Sequence, residues 1–248
     1  MLYEAVFIIL CLINLMPVND LDIEANDLVE VVVAVSNHPY TSYYSNLFPI
    51  AKIVWILALL AGLAGWSRIF CLYGFVSMIL IGTFQTMGTI PDWEFVWLVS
   101  FAVAIYIVAF YFLWECIIAS NKFSWSTIPT WRLCLLLLLP FLVWCPVSVE
   151  NQECRWNFSL QTLTSNDAGA SFCMVSTTLL IVMILFYPNV NRRLFGVLVL
   201  VTSILGTISL LVSLSQKMYP MVIMYLIVLL VASVGYVLYF TKEKEKKD

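Results

Sequence analysis

LFGVLVLVTSILGTISLLVSL, residues Leu194–Leu214, and PMVIMYLIVLLVASVGYVLYF, residues Pro220–Phe240, contain no charged side chain, and only Lys217 carries charge between them. A helix needs roughly 20 apolar residues to cross the hydrocarbon core of a bilayer. Where no water is available, a helix also satisfies its own backbone amides. The two stretches therefore predict two membrane-crossing helices joined by a tight turn.

Six further apolar runs, bounded by charge, proline or polar clusters, read the same way: Leu2–Val18, Pro49–Trp66, Ile69–Gly88, Phe95–Ile118, Leu133–Val149 and Ser171–Tyr187. The expected fold is all-α, a polytopic helical membrane protein of eight spans forming a single domain over residues 1–248. Composition agrees. The chain is 62% hydrophobic and 11% charged, whereas a soluble domain carries about 25% charged residues to cover its surface. The first run is the one that a secretory signal could imitate. However, no Lys or Arg precedes it, Glu4 stands where positive charge is expected, and no small-residue cleavage site follows, so an uncleaved first helix is expected.

Lys and Arg collect in cytoplasmic loops. With both ends on the cytoplasmic side, nine basic residues fall inside (Arg68, Lys122, Arg132, Arg192, Arg193, Lys242, Lys244, Lys246, Lys247) and three outside (Lys52, Arg155, Lys217). The outer face then holds ten of the fifteen acids, which gives a small acidic extracytoplasmic cap built from residues 19–48 and 150–170. In the first of these segments, Asn19 or Asp20 is placed to cap a helix with Leu21, Ala25, Leu28 and Val32 on one face. The β-branched run VEVVVAV that follows suits either helix or strand. Tyr40, Tyr43, Tyr44 and Phe48 read as an interfacial aromatic belt. In the second segment, Cys145, Cys154 and Cys173 all fall on the oxidising side, where either a disulfide or three separate thiols is open.

Several functions are excluded by what is missing. His38 is the only histidine, and bis-His haem, His-rich zinc and HExxH sites each need at least two. No GxSxG, GxxxxGK[ST] or GxGxxG pattern occurs, and with a net charge of −3 and no basic stripe nucleic acid is not an expected partner. No cofactor and no metal is expected. The spans hold almost no ionisable residue, which argues against a proton pump or voltage sensor. Glu115 is the nearest exception. It lies close enough to the inner end of its span to snorkel, to pair with Arg132 or Lys122, or to serve a cytoplasmic vestibule.

Two groups of candidate site residues remain. On the outer side, His38, Asp92, Glu94, Glu150, Glu153 and Asp167 offer acid–base partners or carboxylates, against the simpler reading of solvated loop charges. In the third run, Gln85, Thr86 and Thr89 follow Gly82 at helical spacing and form a candidate substrate path; Thr202, Gly206 and Ser209 make a similar stripe in the seventh. Small and hydroxyl-bearing stripes also serve helix–helix packing. Pro140 is expected to kink the fifth helix. No likeness between the two halves of the chain appears.

The tail TKEKEKKD reads as a solvated interfacial anchor. Asn157-Phe158-Ser159 fits a glycosylation sequon, and Lys244–Asp248 fits a dilysine retrieval signal. A bacterial plasma membrane is expected ahead of a eukaryotic endomembrane. Three functional classes follow: a membrane-embedded subunit or scaffold with protein partners in the membrane, expected first; a transporter or channel for a neutral or lipidic substrate; and a membrane enzyme working at the outer face.

Overall fold

The computed structural model describes residues 18–19, 28–37, 39–90, 94–125, 128–150 and 153–244. Within them the chain is mostly helical. The helices are α1 (Leu28–Asn37), α2 (Phe48–Leu63), α3 (Ser67–Phe84), α4 (Val99–Ile118), α5 (Thr130–Trp144), α6 (Phe172–Phe186), α7 (Arg192–Ser215) and α8 (Tyr219–Lys244). A 3-10 segment, Tyr40–Leu47, leads into α2. Five helices are long and apolar enough to cross a membrane: α2 with that lead-in, α3, α4, α7 and α8; α5 and α6 are shorter apolar helices. This is an integral membrane protein by the length and composition of its helices. The run Leu2–Val18, apart from its last residue, lies outside the described residues.

α6 is the hub. All 15 of its residues are buried, and α2, α3, α5, α7 and α8 pack around it. At 1.5 Å per residue it is roughly 22 Å long, well short of a hydrocarbon core of about 30 Å. Its ends therefore fall within protein, where the free amides and carbonyls of a helix terminus need partners. Side chains from two other elements supply them. The Phe172 amide donates to Gln85 Oε1 at 2.8 Å. At the other end the buried Arg132 guanidinium donates to the carbonyls of Ile184 (3.1 Å) and Tyr187.

The other helices end by local means. Gly65, at φ +91°, closes α2 in a left-handed turn: the Trp66 amide donates to Ala61 O at 2.8 Å and the Gly65 amide to Gly62 O at 3.0 Å, a pairing that consumes two terminal carbonyls. Asn191 caps α7 by accepting from the amides of Arg193 and Leu194. Pro140 cannot donate to Leu136 O, and the turn before it, Cys134–Leu137, tightens to 3-10.

Three expectations need correction, and one open reading is resolved. The fold is not purely helical, because the cap contains two small antiparallel sheets: β1 (Val18–Asn19), β3 (Glu94–Trp97) and β2 (Met87–Ile90) in that spatial order, and the hairpin of β4 (Val147–Glu150) with β5 (Glu153–Trp156). The third run stops being helical at Phe84, so Thr86 and Thr89 do not share a helical stripe with Gly82; Thr89 is already in β2. Asn19 pairs with Val96 in a strand rather than capping a helix. The run Val29–Val35 is helical, because Val31, Val32 and Val35 fall on one face and bury against Val96 and Leu98. Packing there overrides the strand preference of valine.

Connections gather at two ends. At one, Trp125 Nε1 donates to Leu63 O at 2.7 Å and the Lys122 amide to Asn189 O. At the other, Pro39 bridges to Gly88 and Tyr40 stacks on Phe95.

Candidate functional site

The predicted site residues fall in different places. His38 and Asp92 lie outside the described residues. Glu94 is paired with Ile90 beside the β2–β3 turn. Glu150 and Glu153 face each other across the β4–β5 hairpin, in a separate sheet. Asp167 lines an interior space. Asn166 caps the short turn Asp167–Ala170, accepting from the Ala168 amide at 3.3 Å. Asn166 Nδ2 also ties this turn to the end of α5 through the carbonyls of Trp144 and Cys145.

That turn separates two spaces. The larger is an apolar cleft of about 480 Å³ between α2 and α3, walled by Phe48, Val54, Tyr73, Val76, Leu80 and Phe84. Its rim residues Tyr44, Ile50, Val54, Val76 and Leu80 are exposed on the flank of the helices. On a membrane-spanning bundle that flank meets lipid. The cleft ends at Thr41, Gly169 and Ala170.

The smaller space is a more enclosed cavity of about 150 Å³ on the far side of the turn. Thr41 and Ala170 line both. The cavity wall includes Gln85, Asp167, Cys173, Ser209 and Tyr225, set among Phe101, Phe172 and Leu205. The Tyr225 hydroxyl is directed toward Ser209, and Cys173 Sγ lies 3.6 Å from Ser209 Oγ. Gln85 Oε1 is occupied by the Phe172 amide, which leaves its NH2 group as a donor at the wall. Thr86, 3% exposed, also lines the cavity, but its hydroxyl is engaged: it donates to Gly82 O at 2.7 Å and accepts from Trp97 Nε1. Thr89 hydrogen-bonds Tyr40 at the surface and lines neither space.

Asp167 is exposed to the space it lines and lies on the cavity wall. Burial raises its carboxyl above the ordinary value of 3.8, opposed in part by its own backbone amide and by Lys52. Lys52, near the start of α2, is 3% exposed and donates to the carbonyls of Trp144 (3.4 Å) and Thr162 (3.3 Å). Gly169 lets the turn press onto it: a Cβ there would stand 3.2 Å from Lys52 Cγ. Lys52 is the residue that the sequence reading passed over. A lone lysine inside FPIAKIVWILALL is costly unless it is paired or hydrogen-bonded, and that was the available signal.

Cys145, Cys154 and Cys173 are unbridged. Cys145 is buried in a left-handed residue that ends α5, Cys154 sits opposite Val149 in the hairpin, and Cys173 faces Ser209, so each thiol is packed in its own element. Glu115, 1% exposed, pairs with no cation in the way its sequence position suggests. It accepts from Ser120 Oγ (2.7 Å), the Asn121 amide (2.6 Å) and Asn191 Nδ2 (2.6 Å), which fastens α4 to the start of α7. Arg132 is committed to α6 instead. Among the described residues no group of His, Cys, Asp and Glu is arranged to hold a metal ion.

The chain matches no protein-family model, no curated protein and no solved structure.

Proposed function

We propose that this protein takes up a lipidic, uncharged molecule from the outer leaflet, as a transporter or carrier does, with the molecule's apolar chain in the cleft between α2 and α3. The observation that supports this is the cleft itself: it is apolar, it opens sideways on the lipid-facing flank, and it ends against a polar cavity. A passive membrane helix pair has no need of that combination. Pockets that take small molecules are typically concave and apolar with a few convergent polar groups.

The scaffold reading draws on apolar helices, on the scarcity of charge in the spans and on faces of small residues available for packing. In the fold those faces are used within the chain. A Cβ on Gly74 would meet the Phe112 ring at 2.6 Å, one on Gly82 the Tyr106 ring at 2.8 Å, and one on Gly206 Val228 at 3.1 Å. That motive for a protein partner is therefore weaker, and the carrier reading moves ahead of it.

The reading includes the orientation and the count. Eight spans are proposed, with both ends in the cytoplasm and the cleft in the outer half of the bilayer. A diacylglycerol, an uncharged lipid, with a photoactivatable diazirine at mid-chain tests the cleft. Labelling is expected to concentrate on residues 44–54 and 73–84, and Leu80→Trp, which fills the space, is expected to reduce it at least fivefold. Even labelling along every lipid-facing helix would remove the proposal.

A further inference from the structure

We infer that the cavity beside Asp167 receives the head of that same molecule, and that the head is a small uncharged polyol of glycerol size. The inference rests on the cleft reading above and deepens it. Continuity comes first. Thr41 and Ala170 line both spaces, so the cavity adjoins the closed end of the cleft, and a small movement of the turn between them would let a chain lying in the cleft bring its polar end to the cavity.

Size comes second. A cavity of about 150 Å³ is the size that takes up benzene, a molecule of six heavy atoms, in a protein interior. Glycerol also has six heavy atoms, whereas a hexose or a phosphodiester head with its substituent is larger.

Polarity is the third point and the most selective. Among the described lining residues Asp167 is the only charged one, and no Lys or Arg stands on the wall. A phosphate would therefore meet the Asp167 carboxylate with no Lys or Arg on the wall to pair with it, and the first amide of α6 that could favour it is already taken by Gln85. A quaternary ammonium is little better served, since the Asp167 charge is opposed by Lys52 and by the positive end of α6, whose first residues form part of the wall. What remains is a mixture suited to hydroxyls. Asp167 accepts, the Gln85 NH2 group donates, and the Ser209 and Tyr225 hydroxyls do either. Phe101, Phe172 and Leu205 surround these groups, so each polar contact the ligand failed to make would be left unsatisfied in an apolar wall.

The test uses the full chain in phosphatidylcholine nanodiscs. The probe is a 1-O-alkylglycerol with a diazirine in its tail, competed with dodecylglycerol, dodecyl phosphate or dodecyltrimethylammonium. Dodecylglycerol is expected to compete at least tenfold better than either charged amphiphile. Tyr225→Phe and Asp167→Leu are each expected to erase that preference while labelling of the cleft persists. Equal or better competition by a charged head, or a preference that survives in both variants, would overturn the inference. Should Asp167→Leu fail to fold, Tyr225→Phe and Ser209→Ala decide. Leu80→Trp separates the two readings: it acts on tail labelling whichever head competes, so scattered labelling with an intact glycerol preference would condemn the cleft and spare the cavity.

Discussion

At the scale of single residues, two acids do opposite work. Glu115 has three donors converging on it, and its removal would leave the Asn121 amide without an acceptor in a buried place. Glu115→Ala is expected to destabilise the fold by about 3 kcal/mol, read as a lowered denaturant midpoint in detergent; Glu115→Gln, which keeps an acceptor oxygen, should lose less. Asp167 instead sits where its charge is disfavoured. Because its carboxyl holds a proton more tightly folded than unfolded, ionisation subtracts from stability as pH rises through the folded value. Asp167→Asn is therefore expected to unfold at a higher temperature than the unaltered protein at pH 8, with the gap closing as pH falls toward 4. A gap that does not change with pH would show that burial of this charge carries no cost. A carboxyl on a cavity wall, held at a cost to stability, is what a binding site looks like energetically.

At the scale of elements, the helical runs were legible because lipid demands long apolar stretches. The predicted bounds for the last two, Leu194–Leu214 and Pro220–Phe240, lie inside the observed α7 and α8. The third run misled, since MGTI (residues 87–90) is as apolar as helix and pairs as strand only because EFVW (residues 94–97) lies opposite it. Pairing between segments leaves no mark on either one alone. The run Val29–Val35 is ambiguous in sequence for the reverse reason, as a strand-prone composition held helical by the surface beneath it. The ends of α6 were also hidden, because Gln85 and Arg132 reach it from 87 and 52 residues away. Arg132→Met, which keeps the packing volume and removes the donors, is expected to speed hydrogen exchange in the last turn of α6 and leave its first turns protected. Gly65→Ala, forced into a left-handed conformation, is expected to cost about 1–2 kcal/mol.

At the scale of the whole molecule, the orientation proposed from the charge pattern is open to a direct test. A cysteine placed at Ser42, exposed in the 3-10 lead-in, is expected to react with an impermeant maleimide in intact cells. One placed at Lys122 should react only after permeabilisation, and the reverse result would invert the protein. Of the candidate site, sequence offered Gln85 and Asp167 separately, for unrelated reasons. Their meeting depends on a turn of four residues folding back over Lys52, and nothing in local periodicity encodes that. The acids that stayed at the hairpins, Glu94, Glu150 and Glu153, share Asp167's chemistry and differ only in where the chain carries them.

The shortness of α6 bears on how such a protein is loaded. A rod of roughly 22 Å inside a slab of about 30 Å leaves several ångströms of depth, and the cavity occupies the recess above one end of it. A lipid drifting in from the adjacent leaflet would then keep its head at the height it already has among its neighbours. Entry becomes a lateral slide rather than a climb through the headgroup layer, so its rate should follow the fluidity of the membrane and be indifferent to the salt in the water outside.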